Sequence, residues 1–174
     1  MSSRELLLVM LNSMKGKSSS FLPAIDRLCW FDSSNIYTFD SADAEEYSFN
    51  YLGLSYYSRH RIIEAPLEYD CYFIGGIKGG RGNLINDVYL RLNEHGVRAR
   101  FDCVLIDEEE GFYQRAQGIN WHYRRWLPYD EVLSRSVRAS CIVEILQDGQ
   151  TGQSLRYFEA VCHNKKLLTN NPSV

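Results

Sequence analysis

Two short stretches collect the residue types that hold phosphate. Residues 73–83, FIGGIKGGRGN, set five glycines beside Lys78 and Arg81. Glycine lets a backbone come close to an anion, and the two cations supply charge. A helix starting at the end of such a loop presents free N–H groups and the positive end of its dipole. Gly75, Lys78 and Arg81 are therefore candidate phosphate-binding residues. The pattern departs from a P-loop, because Arg81-Gly82 stand where Lys-Ser/Thr would be, and G-x-G-x-x-G is absent. These departures argue against an ATPase and against a standard dinucleotide enzyme. A flexible connection with incidental charges is the alternative reading of the loop.

Residues 148–160, DGQTGQSLRYFEA, follow the apolar run Cys141–Leu146. The spacing predicts a helix from about Ser154 to His163. At 100° per residue, Leu155, Phe158 and Cys162 share one face, suited to packing on a sheet. Arg156, Glu159 and His163 share an adjacent face, directed at the edge of a cleft. Gly152 allows a ligand to approach, and the N–H groups near Ser154 can hold a phosphate oxygen. Glu159, one turn in, can accept hydrogen bonds from vicinal hydroxyls such as those of a ribose. The alternative is an Arg156–Glu159 pair on a wet surface, worth only ~0.3–0.5 kcal/mol.

These stretches need elements to position them. Strand-length apolar runs occur at Leu6–Leu11, Asn35–Phe39, Asp70–Ile74, Arg98–Ile106, Ser140–Leu146 and Lys166–Thr169. CVLI and CIVEIL are nearly continuous, as strands covered on both faces are. Between them, Asn83 can cap a helix with Leu84, Val88 and Leu92 on one face and Gly96 at its end. A second helix is predicted from about Tyr129 to Arg138, with Tyr129, Val132, Leu133 and Val137 on one face. Strands alternating with such helices predict an α/β fold, a single Rossmann-like three-layer sandwich with a mostly parallel sheet. Ligands in such sheets bind beyond the carboxyl ends of the strands, which is where both loops fall. Residues 12–34 are irregular, with KGKSSS and DSSN as turn signals, and the EEEG after Asp107 reads as an exposed loop or helix start, with paired catalytic acids as the alternative. The expected division is residues 1–34 as the remnant or linker of a preceding domain and 35–174 as the Rossmann-like domain.

Composition narrows the partners. The net charge of −3 suggests no general affinity for nucleic acid or anionic membrane, and Arg124, Arg125, Arg135 and Arg138 read as a solvated surface group. The five cysteines lack metal-ligand spacing and read as buried free thiols in a reducing compartment. No run approaches the ~20 apolar residues of a membrane span. The apolar start lacks a basic leader and a cleavage site and reads as a strand. The expected location is cytoplasmic, extending to the inner face of a membrane. His122 reads as structural, and His95 and His163 lie near helix ends, where positive charge is favourable.

Three motifs in order resemble a known family. DGQTGQSLRYFEAVCHNKKLLTNN resembles the donor-binding segment of GT-B glycosyltransferases, with Glu144, Gln147, Gly149, Gln150, Gly152, Arg156, Glu159 and Ala160 matching. YDCYFIGGIKGGR and IYTFDSADAEEY are similar to further stretches of bacterial proteins of lipopolysaccharide and capsular polysaccharide biosynthesis. The resemblance covers about residues 35–172. It implies the C-terminal, donor-binding half of a transferase that passes a sugar from a nucleotide-sugar to a glycan or lipid-linked acceptor. It implies no metal and no cofactor beyond the nucleotide-diphosphate sugar donor, no nucleic acid partner, and peripheral association with a membrane. By the same carry-over, Glu159 holds the ribose, Gln150 and Arg156 belong to the donor contacts, and Gly152, Gln153 and Ser154 offer N–H groups to the diphosphate. Lys78 and Arg81 fall where the family places cationic partners of the phosphates. Thr151 stands eight residues before Glu159, where many retaining members carry a Glu that contacts the transferred sugar. The chain has room for one of the two domains such an enzyme uses, so activity is expected only when an N-terminal domain or a partner completes it. A non-catalytic nucleotide-binding or interaction domain of the same fold is the alternative.

Overall fold

A computed structural model describes residues 8–10, 14, 23, 33–53, 65–77, 80–105 and 116–174. The chain forms two compact units. The first comprises Met1–Tyr56, Gly149–Gln153 and Asn171–Val174, and the second Tyr57–Asp148 and Ser154–Asn170.

The first unit holds a three-stranded parallel sheet of β1 (Leu8–Met10), β2 (Ile36–Thr38) and β3 (Asn50–Tyr51), in that order. The pairing of β1 with β2 joins residues on both sides of position 34. Helix α1 (Ser41–Tyr47) connects β2 to β3. It starts at Asp40, whose carboxylate accepts the Ala42 N–H at 3.0 Å, and ends at Ser48 with φ +56°. Asp43 in its first turn is buried and accepts the Met14 N–H at 2.7 Å.

The second unit is a five-stranded parallel sheet. Its strands are β4 (Tyr69–Ile77), β5 (Ala99–Leu105), β6 (Asn120–Tyr123), β7 (Ala139–Glu144) and β8 (Lys166–Thr169), in the spatial order β6-β5-β4-β7-β8. The chain starts in the middle, winds outward through β5 and β6, then crosses back to add β7 and β8 on the other side of β4. Helices α2 (Arg81–Glu94), α3 (Tyr129–Ser136) and α4 (Leu155–Cys162) make the connections. Alternation along β5 separates the helices onto two faces. Phe101 meets Tyr89 of α2 edge-on at 5.2 Å, while its neighbour Asp102 meets Arg135 of α3 at 2.7 Å. This is the expected Rossmann-like, three-layer α/β arrangement.

The main core lies under α2, where Phe73, Phe101, Ile85, Tyr89, Cys103 and Val143 are buried together. Each such side chain contributes on the order of 1.5–3 kcal/mol by leaving water. The predicted α2 face is rotated from the observed one. Ile85 and Tyr89 are buried, Val88 and Leu92 pack beside them, and Leu84 is exposed. The cap also differs, since Gly80 at φ +79° is the N-cap and Asn83 sits inside the first turn. Pattern reading followed the aliphatic residues and passed over Tyr89, whose ring extends to Phe101. The EEEG and KGKSSS segments lie outside the described residues.

Candidate functional site

The order of the second sheet reverses between β4 and β7, the position at which open parallel sheets bind ligands beyond the carboxyl ends of their strands. Gly75 and Arg81 stand there. Arg81 Nε donates to the Gly76 carbonyl at 2.9 Å, and Nη1 donates to the Ile145 carbonyl at 2.8 Å. One guanidinium thus bridges the ends of β4 and β7. A Cβ on Gly75 would come within 2.7 Å of Arg81 Nη2 and 2.9 Å of the Phe73 ring. The absence of a side chain at Gly75 lets Arg81 fold back across the sheet end. Lys78 lies outside the described residues. The N-cap of helix α2 is Gly80, which supplies no side-chain cap, and Asn83 in the first turn is exposed. A 14-residue helix with such a start carries the donors and partial positive charge that suit a phosphate.

The start of α4 differs. Ser154 is its N-cap, accepting the Arg156 N–H at 3.0 Å through its own hydroxyl. The same hydroxyl donates to the buried Glu144 carboxylate, whose other oxygen accepts from Thr169. Ser154 is therefore engaged on both sides, tying α4 to β7 and β8.

The faces expected for α4 are matched only in part, with Phe158, Cys162, Arg156 and His163 all half-buried. Leu155 is 38% exposed, whereas Glu159 and Ala160 are buried, Glu159 completely. Glu159 forms an ion pair with Arg156 at 2.7 Å, and Ser136 of α3 lies 3.4 Å from its other oxygen. Burial pushes its carboxyl above the usual range, against the opposing influence of Arg156, Tyr129 and Ser136. The Arg156–Glu159 contact is thus an internal pair beneath α3 rather than a wet surface pair. Glu159 has no exposed surface, where the expected face pointed it toward the edge of a cleft.

Residues 149–153 belong to the first unit, where Asp40 organises them. Its carboxylate accepts the Thr151 N–H at 3.0 Å, the Thr151 hydroxyl at 2.7 Å and the Gly152 N–H at 3.2 Å. Burial alone would raise the Asp40 pKa, but these bonds and the Ala42 N–H more than offset it and hold the carboxyl below its ordinary value. The Gly152 N–H expected to face a diphosphate is therefore occupied by a carboxylate of the chain itself. Gly152 also packs against Phe39, where a Cβ would approach the ring to 2.5 Å. Its small size serves that contact. Gln150 and Gln153 are partly exposed.

Sequence reasoning missed one polar cluster. Asp102, buried in the middle of β5, lies 2.7 Å from Arg135, 3.2 Å from His122 and 3.4 Å from Arg100. Burial raises its pKa, yet the hydrogen bonds from Arg135 and His122 and the nearby guanidinium charges leave it below the ordinary value. Burial and the neighbouring Asp102 both raise the Tyr72 phenol. The available signal was the acidic residue inside the apolar run RFDCVLI. Arg124 and Arg125 are exposed, as expected of the basic group. Arg135 and Arg138 instead form ion pairs, Arg138 with Glu68. His95 and His163 are the C-caps of α2 and α4. Among the described residues, no three His, Cys, Asp or Glu side chains group as metal ligands, and no helix is long and apolar enough to cross a membrane.

The strand order defines the class, a doubly wound α/β domain whose order reverses between β4 and β7. No family model matches the chain, and no curated protein matches it in sequence. Among solved structures, the backbone is similar to that of the DNA-modifying enzyme β-glucosyltransferase, crystallised in the presence and absence of its substrate uridine diphosphoglucose. The TM-score is 0.49 at 11% identity, over 77% of this chain and 45% of that one. The chain thus spans less than half the length of that structure.

Proposed function

We propose that the second unit binds the diphosphate of a nucleotide-sugar and is the donor-binding part of a glycosyltransferase. The observation that carries this reading is the β4–β7 reversal, where α2 starts at Gly80 and Arg81 joins the ends of the two strands. The motif resemblance supports the sugar-nucleotide character of the ligand. In a completed enzyme, an acceptor hydroxyl attacks the anomeric carbon and the nucleoside diphosphate departs. The α2 N–H groups and the charge of Arg81 then stabilise the leaving oxyanion, which is the electrostatic role such a site performs. Lys78 stays a candidate on the sequence motif alone. The acceptor, a glycan or lipid-linked sugar of surface polysaccharide or lipopolysaccharide at the membrane face, is carried by the resemblance alone.

Within this reading the roles are redistributed. Ser154, Arg156 and Glu159 position α4, and Gly152 and Thr151 are held by Asp40. Gln150 and Gln153 remain candidate donor contacts. A thermal-shift screen with UDP, GDP, ADP, CMP and their sugars tests the proposal. One of these ligands is expected to raise the melting temperature in a concentration-dependent way, since a ligand bound only by the folded state stabilises it. No response at millimolar concentration from any of them removes the reading.

A further inference from the structure

Cys71 on β4 and Cys141 on β7 are direct register partners in the parallel sheet, so both side chains leave the same face. Neighbouring strands lie about 4.8 Å apart, within the ~4.4–6.8 Å Cα separation that a disulfide spans. The row continues outward to Ala99 beside Cys71 and Lys166 beside Cys141. Ala99 adds little bulk next to the thiols, and Lys166 is exposed, placing an ammonium at the open end of the row. Cys71 is buried at 7% exposure, whereas Cys141 is partly exposed. The arrangement is asymmetric, with one cysteine partly exposed and its register partner on the neighbouring strand buried.

We propose that Cys71 and Cys141 form a dithiol site that reacts with small disulfides of the glutathione type. The Cys141 thiolate attacks one sulfur of the reagent, forming a mixed disulfide and releasing one thiolate. The Cys71 thiol loses its proton to solvent and attacks the Cys141 sulfur, forming the Cys71–Cys141 bond and releasing the second thiolate. The protein loses two electrons, and the reagent's disulfide gains them. The chemistry of the pair matches this order of events. The neighbouring Cys71 thiol and the Lys166 charge bring Cys141 down to about 7 against the effect of burial, whereas Cys71 is pushed up by the same neighbour and by burial. The accessible sulfur is therefore the one that ionises first. The product ties β4 to β7, the two strands flanking the reversal, by a bond that thiols can reverse.

Incubating the native chain with oxidised glutathione, blocking the remaining thiols and mapping peptides by mass spectrometry tests the proposal. The expected product is a Cys71–Cys141 linked peptide, lost on reduction. The Cys71→Ser variant is expected to accumulate glutathione on Cys141, and Cys141→Ser to leave Cys71 unmodified over the same time, both with the circular dichroism of the parent chain. If Cys71 and Cys141 are both recovered as blocked free thiols, or if the C71S variant retains an unmodified Cys141, the proposal is overturned.

Discussion

A carboxylate with no exposed surface ionises against the cost of its own burial, and Glu159 is in that position. Its folded-state pKa is raised above the ordinary 4.5, so the folded chain holds this proton more tightly than the unfolded chain. The contribution of Glu159 is therefore fully present below about 4.5 and diminishes as pH rises through the folded value. Comparing urea unfolding of the parent with Glu159→Gln across this range isolates the effect, because the amide does not titrate. The stability of the parent relative to the variant is expected to fall with rising pH above 4.5, and a constant difference would place Glu159 in water. Asp102 has the opposite sign. Its depressed pKa means its stabilisation is present above 3.8 and is lost as pH falls through the folded value. Asp102→Ala leaves Arg135 and Arg100 without a buried carboxylate that they share, and the expected loss is about 3 kcal/mol in denaturant unfolding. A loss below about 1 kcal/mol would show that the cluster is solvated and weak.

Three described helices start from the carboxyl ends of the strands, and their starts are built differently. Helix α4 is closed by its Ser154 hydroxyl, α3 starts after Pro128 with Asp130 and Glu131 in its first turn, and α2 begins at a glycine with no side-chain cap and no acidic residue in its first turn. Placing a charge in the first turn of α2 distinguishes structure from binding. Asn83→Asp is expected to raise stability by about 0.3–1 kcal/mol through the helix dipole, measured by chemical denaturation, while the same charge repels an anion. Strands β4, β5, β7 and β8 and the described helices of the second unit were legible because apolar runs and 3.6-residue periods are local properties. Lys166–Thr169 was read to the residue, and α4 within one residue at each end. The short elements were not. Helix α1 is announced only by Asp40, and β6 carries the polar sequence NWHY on a strand exposed at both ends. The orientation of α4 was illegible for a different reason. An Arg–Glu pair at i, i+3 fits water or an interior equally well, and its burial depends on Ser136 and Tyr129 of another helix.

At the scale of the molecule, the chain supplies a three-stranded parallel sheet in one unit and a five-stranded parallel sheet in the other. The anion-binding capacity that the sequence suggested for two loops is divided between these units. Residues 149–153 belong to the first and are held by an internal carboxylate, while the glycine-rich loop and the start of α2 belong to the second. The proposed diphosphate site therefore lies at the β4–β7 reversal and the start of α2. Isothermal titration of the parent chain and the N83D variant with UDP-, GDP-, ADP- and CMP-linked ligands tests it most directly. At least one is expected to bind the parent, and N83D to bind it roughly fivefold or more weakly, a repulsion of about 1 kcal/mol, despite unfolding at higher denaturant. Binding of equal strength to both proteins, or to neither, would contradict it.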